Sequence, residues 1–202
     1  MNSAAAVLGP LGRIPKAVLF GAAALIQVAL IAAMVADRVE ILRTGTEVML
    51  QTRPIDPRDF LRGDYVVLGY DISTVSAGEL KEQPADGRGA TVFVKLAPNS
   101  DGFYQAVSAH AAPVAVNAPE VLIRGHVTSG INCGRNARAF CDRLQIRYNL
   151  EKYFVPEGEG LKLEQARNQR KLTIVAAVTP EGRAAIKRLL IDGAPVYEEP
   201  WF

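Results

Sequence analysis

The stretch that decides the fold is Arg53–Asp71, RPIDPRDFLRGDYVVLGYD, the densest run of turn residues and charges in the chain. Pro54 and Pro57 each fix a backbone φ at about −65° and keep the preceding residue out of the helical region. Tyr65–Tyr70 is rich in β-branched and aromatic residues, which is typical of a strand buried on both faces. The stretch therefore predicts a charged corner followed by one core strand over Asp64–Asp71.

The charged side chains of this corner are the first candidates for function. Arginines and aspartates alternate along it, and bidentate ion pairs between them would pin the loop as a purely structural corner. Charged loops that precede rigid strands are also frequent binding sites, so a site for a ligand or partner is the alternative. The candidate binding residues are Arg53, Asp56, Arg58, Asp59, Arg62, Asp64, Tyr65 and Tyr70.

Gly63–Tyr70, GDYVVLGY, fits the pattern GDYxxLxY, and the chain resembles the bacterial GDYXXLXY domain family. The preceding RPIDPRDFLR and the later Ile146–Gly160 also resemble that family, so the resemblance covers nearly everything after residue 40. The resemblance implies a membrane-associated protein, sometimes joined to, or encoded beside, a multi-span membrane domain. It implies no assigned activity. No cofactor is predicted.

Ala17–Ala36 has no charged residue over twenty positions. A helix of that length rises ~1.5 Å per residue and spans about 30 Å, one hydrocarbon core. Arg13 and Lys16 precede it, which predicts a cytoplasmic segment at 1–16, an anchor in the bacterial inner membrane and a periplasmic domain at 37–202. A cleaved signal peptide is the alternative, although its apolar core is normally only ~7–15 residues long.

The predicted anchor also has features of a helix that docks on another helix. Gln27 lies in its middle, and a buried amide seeks a partner. Small residues permit close approach of helices, which predicts an integral membrane protein as the partner, whereas an ordinary alanine-rich anchor is the alternative. The small residues on one helical face are Ala22, Ala29, Ala33 and Ala36.

After the anchor, short apolar runs alternate with turn signals about every ten residues. This pattern predicts a mainly β or α+β domain, built as an antiparallel sandwich or partly open barrel with short helices. Thr91–Leu96 and Phe103–Ala109 predict a hairpin, and Leu161–Asn168 predicts a short helix. Ala184–Ile191 predicts the return strand of a second hairpin, with a helix as the alternative because Ala, Lys, Arg and Leu favour helices.

Cys133 and Cys141 are the only cysteines in the chain. Outside the cytoplasm such a pair predicts a disulfide. The spacing does not match a C-x-x-C redox motif, and with His110 and His126 it matches no compact zinc site, so no metal is predicted. The net charge of +2 and the lack of a basic run interleaved with aromatics argue against a nucleic-acid partner.

Few residues in the sequence suggest a catalytic arrangement, so the sequence predicts a non-enzymatic accessory or binding module. The alternative is an exported hydrolase or transferase that uses Asp64, Tyr65, Tyr70 and Lys95. A signal-peptidase-like reaction would need a serine just before the corner, and Asp37–Gly63 contains none. A solvated loop is predicted for the acidic cluster of Glu151, Glu157, Glu159 and Glu164.

Overall fold

A computed structural model describes residues 15–55, 65–76, 79–80, 88–131 and 143–200 of the chain. Two α-helices and twelve strands lie within these ranges. The chain divides into two compact units, Met1–Val39 and Glu40–Phe202. The predicted disulfide between Cys133 and Cys141 lies outside the described residues.

The N-terminal helix α1 spans Lys16–Thr44. It has the length and composition of a membrane-spanning helix, with a mean hydropathy of 2.5 over its most apolar window. Large apolar side chains along it, such as Phe20 and Met34, are exposed. The membrane segment predicted from the sequence is therefore an exposed apolar helix, while its topology and compartment stay predictions.

The first sheet has five antiparallel strands. Its spatial order is β12 (Ala194–Glu198), β11 (Ala184–Ile191), β10 (Leu172–Val178), β1 (Thr46–Arg53) and β3 (Gly69–Tyr70). The β10–β11 hairpin confirms the predicted return strand and overturns its helical alternative. The helix formers in β11 adopt a strand because Ala185, Ile186 and Leu189 are buried against β10 and the core.

The second sheet also has five antiparallel strands. Its spatial order is β4 (Thr74–Ser76), β8 (Arg143–Arg147), β7 (Val121–Ile131), β5 (Thr91–Pro98) and β6 (Tyr104–His110). Asn99 closes the β5–β6 hairpin, since its side-chain oxygen accepts hydrogen bonds from the N–H groups of Asp101 and Phe103, both at 2.9 Å. The hairpin predicted from the sequence is confirmed.

The two sheets enclose one shared core and form a nearly closed barrel. Met49 bridges to Phe103 on one side. At a second contact between the sheets, the Arg124 N–H donates to the Gly182 carbonyl over 2.8 Å. Gly182 has a φ of 82°, and a Cβ there would lie 2.9 Å from the Arg124 nitrogen, so this junction requires glycine. The predicted mainly β class and partly open barrel are confirmed.

A two-stranded ribbon lies beside these sheets. It pairs β2 (Tyr65–Val67) with β9 (Lys152–Phe154), and we refer to this pair as the ribbon. The single strand predicted over Asp64–Asp71 is therefore wrong. The chain changes partner at Leu68, because β2 pairs with β9 whereas β3 pairs with β1.

A short helix covers the ribbon. This helix, α2, spans Gly160–Asn168 and contacts β2 and β10, which confirms the helix predicted over Leu161–Asn168. Half of a capping box is present at Ser76, since the Ser76 N–H donates to the Glu79 carboxylate over 2.8 Å. Ser76 nevertheless ends strand β4, and residues 81–87 lie outside the described chain.

Candidate functional site

The structure describes three of the eight predicted binding residues, Arg53, Tyr65 and Tyr70. These three residues lie in different surroundings. The other five, namely Asp56, Arg58, Asp59, Arg62 and Asp64, lie outside the described residues. The described part of the candidate site is therefore formed by the elements that flank residues 56–64.

Leu68 and Tyr70 belong to the core. Their exposed fractions are 1% and 0%. The Tyr70 hydroxyl donates to the Leu150 carbonyl over 2.5 Å, and burial raises the pKa of Tyr70 well above its ordinary value. Packing and one buried hydrogen bond thus explain why these two motif positions carry a leucine and a tyrosine.

Arg53 joins the end of β1 to the second sheet through neutral side chains. Its guanidinium donates to Thr74 Oγ1 over 2.9 Å and to Gln145 Oε1 over 3.3 Å. Gln145 in turn donates to the same Thr74 oxygen over 2.9 Å. Among the described residues, Arg53 therefore acts as a structural link, and the aspartates of the ion pairs predicted for the corner lie outside the described residues.

Tyr65, unlike the other motif residues described, lies on the surface of the ribbon. Its ring centroid is 5.8 Å from that of Phe154 on the paired strand, and Lys152 Nζ lies 5.2 Å from the Tyr65 ring. Phe154 is 76% exposed, and Tyr65 is half-buried. Core packing does not account for this group of apolar side chains.

A cavity of about 510 Å³ opens beside the ribbon. Glu151 lies in its wall, and its Oε1 accepts the Tyr148 N–H over 2.6 Å. Burial raises the pKa of Glu151, and the backbone hydrogen bonds and Arg147 oppose that shift. The solvated loop predicted for the acidic cluster is therefore wrong for Glu151. The cavity is lined by Val67, Leu68, Arg147, Asn149, Glu151 and Lys152.

Arg167 of α2 is the residue that the sequence analysis missed most clearly. It is 0% exposed, and its guanidinium donates to the carbonyls of Val67 over 2.5 Å and Ile55 over 3.4 Å. It also donates to the Asn168 side chain over 3.0 Å. Burial lowers the pKa of Arg167, and Glu164 opposes that shift. Arg167 thus fixes the two chain ends that flank residues 56–64.

The residues proposed for an exported enzyme do not share one site. Tyr70 is in the core and Tyr65 is on the ribbon, whereas Lys95 lies on β5, where its ammonium contacts the Glu120 carboxylate at 2.8 Å. Asp64 lies outside the described residues. Within the described ranges no group of three or more His, Cys, Asp or Glu side chains could hold a metal ion.

A serine–histidine contact occurs close to Lys95. Ser108 Oγ lies 2.9 Å from His110 Nε2, and Ser108 is the register partner of Lys95 across the β5–β6 hairpin. The signal was present in the sequence, because residues two apart on a strand share a face. Ser108 is 4% exposed, so its hydroxyl is covered in this conformation.

Comparison with known proteins gives one match. A sequence model of the GDYXXLXY protein family matches residues 27–189, which is most of the chain. No curated protein and no solved structure matches it.

Proposed function

Because the chain belongs to the GDYXXLXY family and has an N-terminal helix suited to a membrane, we propose that it is an anchored accessory protein that binds an integral membrane protein. In this proposal it catalyses no reaction. The positive charges before the apolar segment support a cytoplasmic N-terminus and a periplasmic domain in a bacterial inner membrane.

The observation that carries the proposal is the exposed aromatic surface of the ribbon. Tyr65 and Phe154 present aromatic side chains at the surface of the ribbon, and Phe154 is 76% exposed. Exposed apolar groups that cluster in this way commonly mark protein–protein contacts, and aromatic residues dominate the energy of such contacts. Arg167 and α2 both contact β2 and so support the ribbon.

The charges around the ribbon indicate the kind of surface that it fits. Lys152 lies over Tyr65, and Arg147 and Lys152 both line the neighbouring cavity. A complementary partner would present an apolar centre with an acidic rim. The apolar helix α1 supports a partner within the membrane, because a chain held there meets membrane proteins at high effective concentration. The small-residue face and Gln27 would provide a second contact.

Replacing Phe154 by alanine should weaken binding of the partner about 30-fold, the usual effect of losing an aromatic hot spot. A photo-reactive amino acid at Phe154 would first identify the partner in cells, and its affinity for the purified full chain would then be measured. Val107→Ala is the matched control, since Val107 is also exposed but lies on β6. Equal affinity of both variants, or no crosslinked membrane protein, would refute the proposal.

A second candidate function, an exported hydrolase, is favoured by the Ser108–His110 contact. In an acyl transfer, His110 Nε2 would accept the Ser108 proton while the serine oxygen attacks the carbonyl carbon and displaces the leaving group. The low exposure of Ser108 opposes this reaction, because no substrate could reach the oxygen without an opening of the sheet surface.

A fluorophosphonate probe separates the two candidates, because it labels activated serines. The accessory proposal predicts that the full chain in membranes gives the same background signal as its Ser108→Ala variant. Labelling of the wild type that disappears in Ser108→Ala would instead establish an activated nucleophile and favour the hydrolase.

A further inference from the structure

The strands of the second sheet carry charge of one sign. They contain Lys95, Arg124, Arg143 and Arg147, both histidines of the chain, and no aspartate or glutamate. The chain as a whole has a net charge of only +2, so the positive excess on this sheet is local.

The register places these side chains on the outer face of the sheet. Residues that alternate with them, such as Val92, Leu144 and Ile146, are buried in the core. Arg147 is paired with His126, which lies opposite Thr91 on the next strand. Neighbouring strands are about 4.8 Å apart, so these residues form a row across the sheet.

A second row runs beside the first. Arg124 is paired with Phe93, which lies opposite His110. Arg88 adds a further positive charge beside β7. Its Nε donates to the Thr128 carbonyl over 2.8 Å, and this hydrogen bond holds the guanidinium against the strand. We use the name basic face for the outer surface formed by Arg88, Arg124, Arg143, Arg147 and His126.

The arginines of the basic face are exposed, and only Arg147 has a described carboxylate, that of Glu151, near enough to act on it electrostatically. Arg88, Arg124, Arg143 and Arg147 are all exposed, and none of the four forms an ion pair within the described part of the chain. The first sheet is different, since its cations Lys187 and Arg188 both contact the Glu47 carboxylate. Within the described part of the chain, the guanidinium groups of the basic face therefore remain available to anions.

We propose that the basic face binds the anionic headgroups of membrane phospholipids. Guanidinium groups donate paired hydrogen bonds to phosphate oxygens, and each arginine near an anionic bilayer increases binding about fivefold. A broad, open sheet face suits a lipid surface better than a small ligand. The chain itself provides access to lipid, because only Gly45 separates the apolar helix α1 from the first strand of the domain.

The test uses the full chain in nanodiscs made either of phosphatidylcholine or of equal parts phosphatidylcholine and phosphatidylglycerol. A photo-reactive amino acid at Thr91, in the middle of the face, should form lipid adducts several-fold more often in the anionic discs. The same group at Thr173, on β10 of the first sheet, is the positional control and should show no such preference. High salt should remove the preference, because it screens exposed charges.

Charge variants identify the groups responsible. Arg124→Glu with Arg147→Glu should abolish the preference at Thr91, whereas Arg124→Lys with Arg147→Lys should keep it. Equal adduct yields in both discs, or yields unchanged by charge reversal, would overturn the proposal. Crosslinking at Thr91 to a protein in cells, without lipid adducts in anionic discs, would also overturn it in favour of an acidic protein surface. The outcome is independent of partner binding, since the nanodiscs contain only lipid and the full chain.

Discussion

Replacement of Arg167 by methionine is expected to lower the free energy of unfolding by about 2–3 kcal/mol, although methionine matches the length of the buried stem. The partly buried carbonyls of Val67 and Ile55 lose their donor, and each unsatisfied group costs about 1–3 kcal/mol. Part of this loss is offset, because the variant no longer buries a cation. For a domain of this size the change corresponds to a fall in Tm of about 5–10 °C.

Circular dichroism of the detergent-solubilised full chain would measure that Tm. Lys162→Met is the matched control, because Lys162 lies exposed on the same helix and should change Tm by little. Arg167→Lys should fall between wild type and Arg167→Met, since an ammonium can reach one of the two carbonyls but lacks the planar fork. A Tm for Arg167→Met equal to that of Lys162→Met would contradict the structural role assigned to Arg167.

Much of the barrel could be predicted from the sequence because its signals are local. Alternation of apolar residues defines β1 and β8, and Pro98–Gly102 marks the turn of the β5–β6 hairpin. The partner switch at Leu68 could not be predicted in this way. Tyr65–Tyr70 is an unbroken apolar run, and the strands that compete to pair with it are distant in sequence.

The candidate surfaces were harder to predict than the strands. Arg167 lies in a short polar helix, where a charged residue is normally expected to be exposed to solvent. The groups that accept its hydrogen bonds are backbone carbonyls, which every residue type has and which the sequence therefore does not reveal. The basic face was missed for a related reason. Arg88, Arg124 and Arg143 are far apart in the chain and converge only through the pairing of β7 with its neighbours.

Gly45 is the position where the smallest substitution is expected to have the largest effect. It joins α1 to β1, and its N–H donates to the Ile41 carbonyl over 2.9 Å. A Cβ at Gly45 would lie 2.7 Å from the Ile41 oxygen, 2.8 Å from the Val178 nitrogen and 2.9 Å from the Ala177 carbonyl carbon. All three are backbone atoms, so no change of rotamer can relieve the contact.

Gly45→Ala should therefore lower the free energy of unfolding by about 3 kcal/mol, at the upper end of the cost of overpacking. Relief requires the last turn of α1 to move away from β10, which would also separate Ile41 and Leu42 from Ala177 and Ala185. Gly21→Ala, within α1, is the matched control, because no atom lies within 4 Å of a Cβ there. Thermal unfolding of both variants would measure the difference in stability. If both melt like wild type, the contact of Ile41 and Leu42 with β10 and β11 does not stabilise the domain.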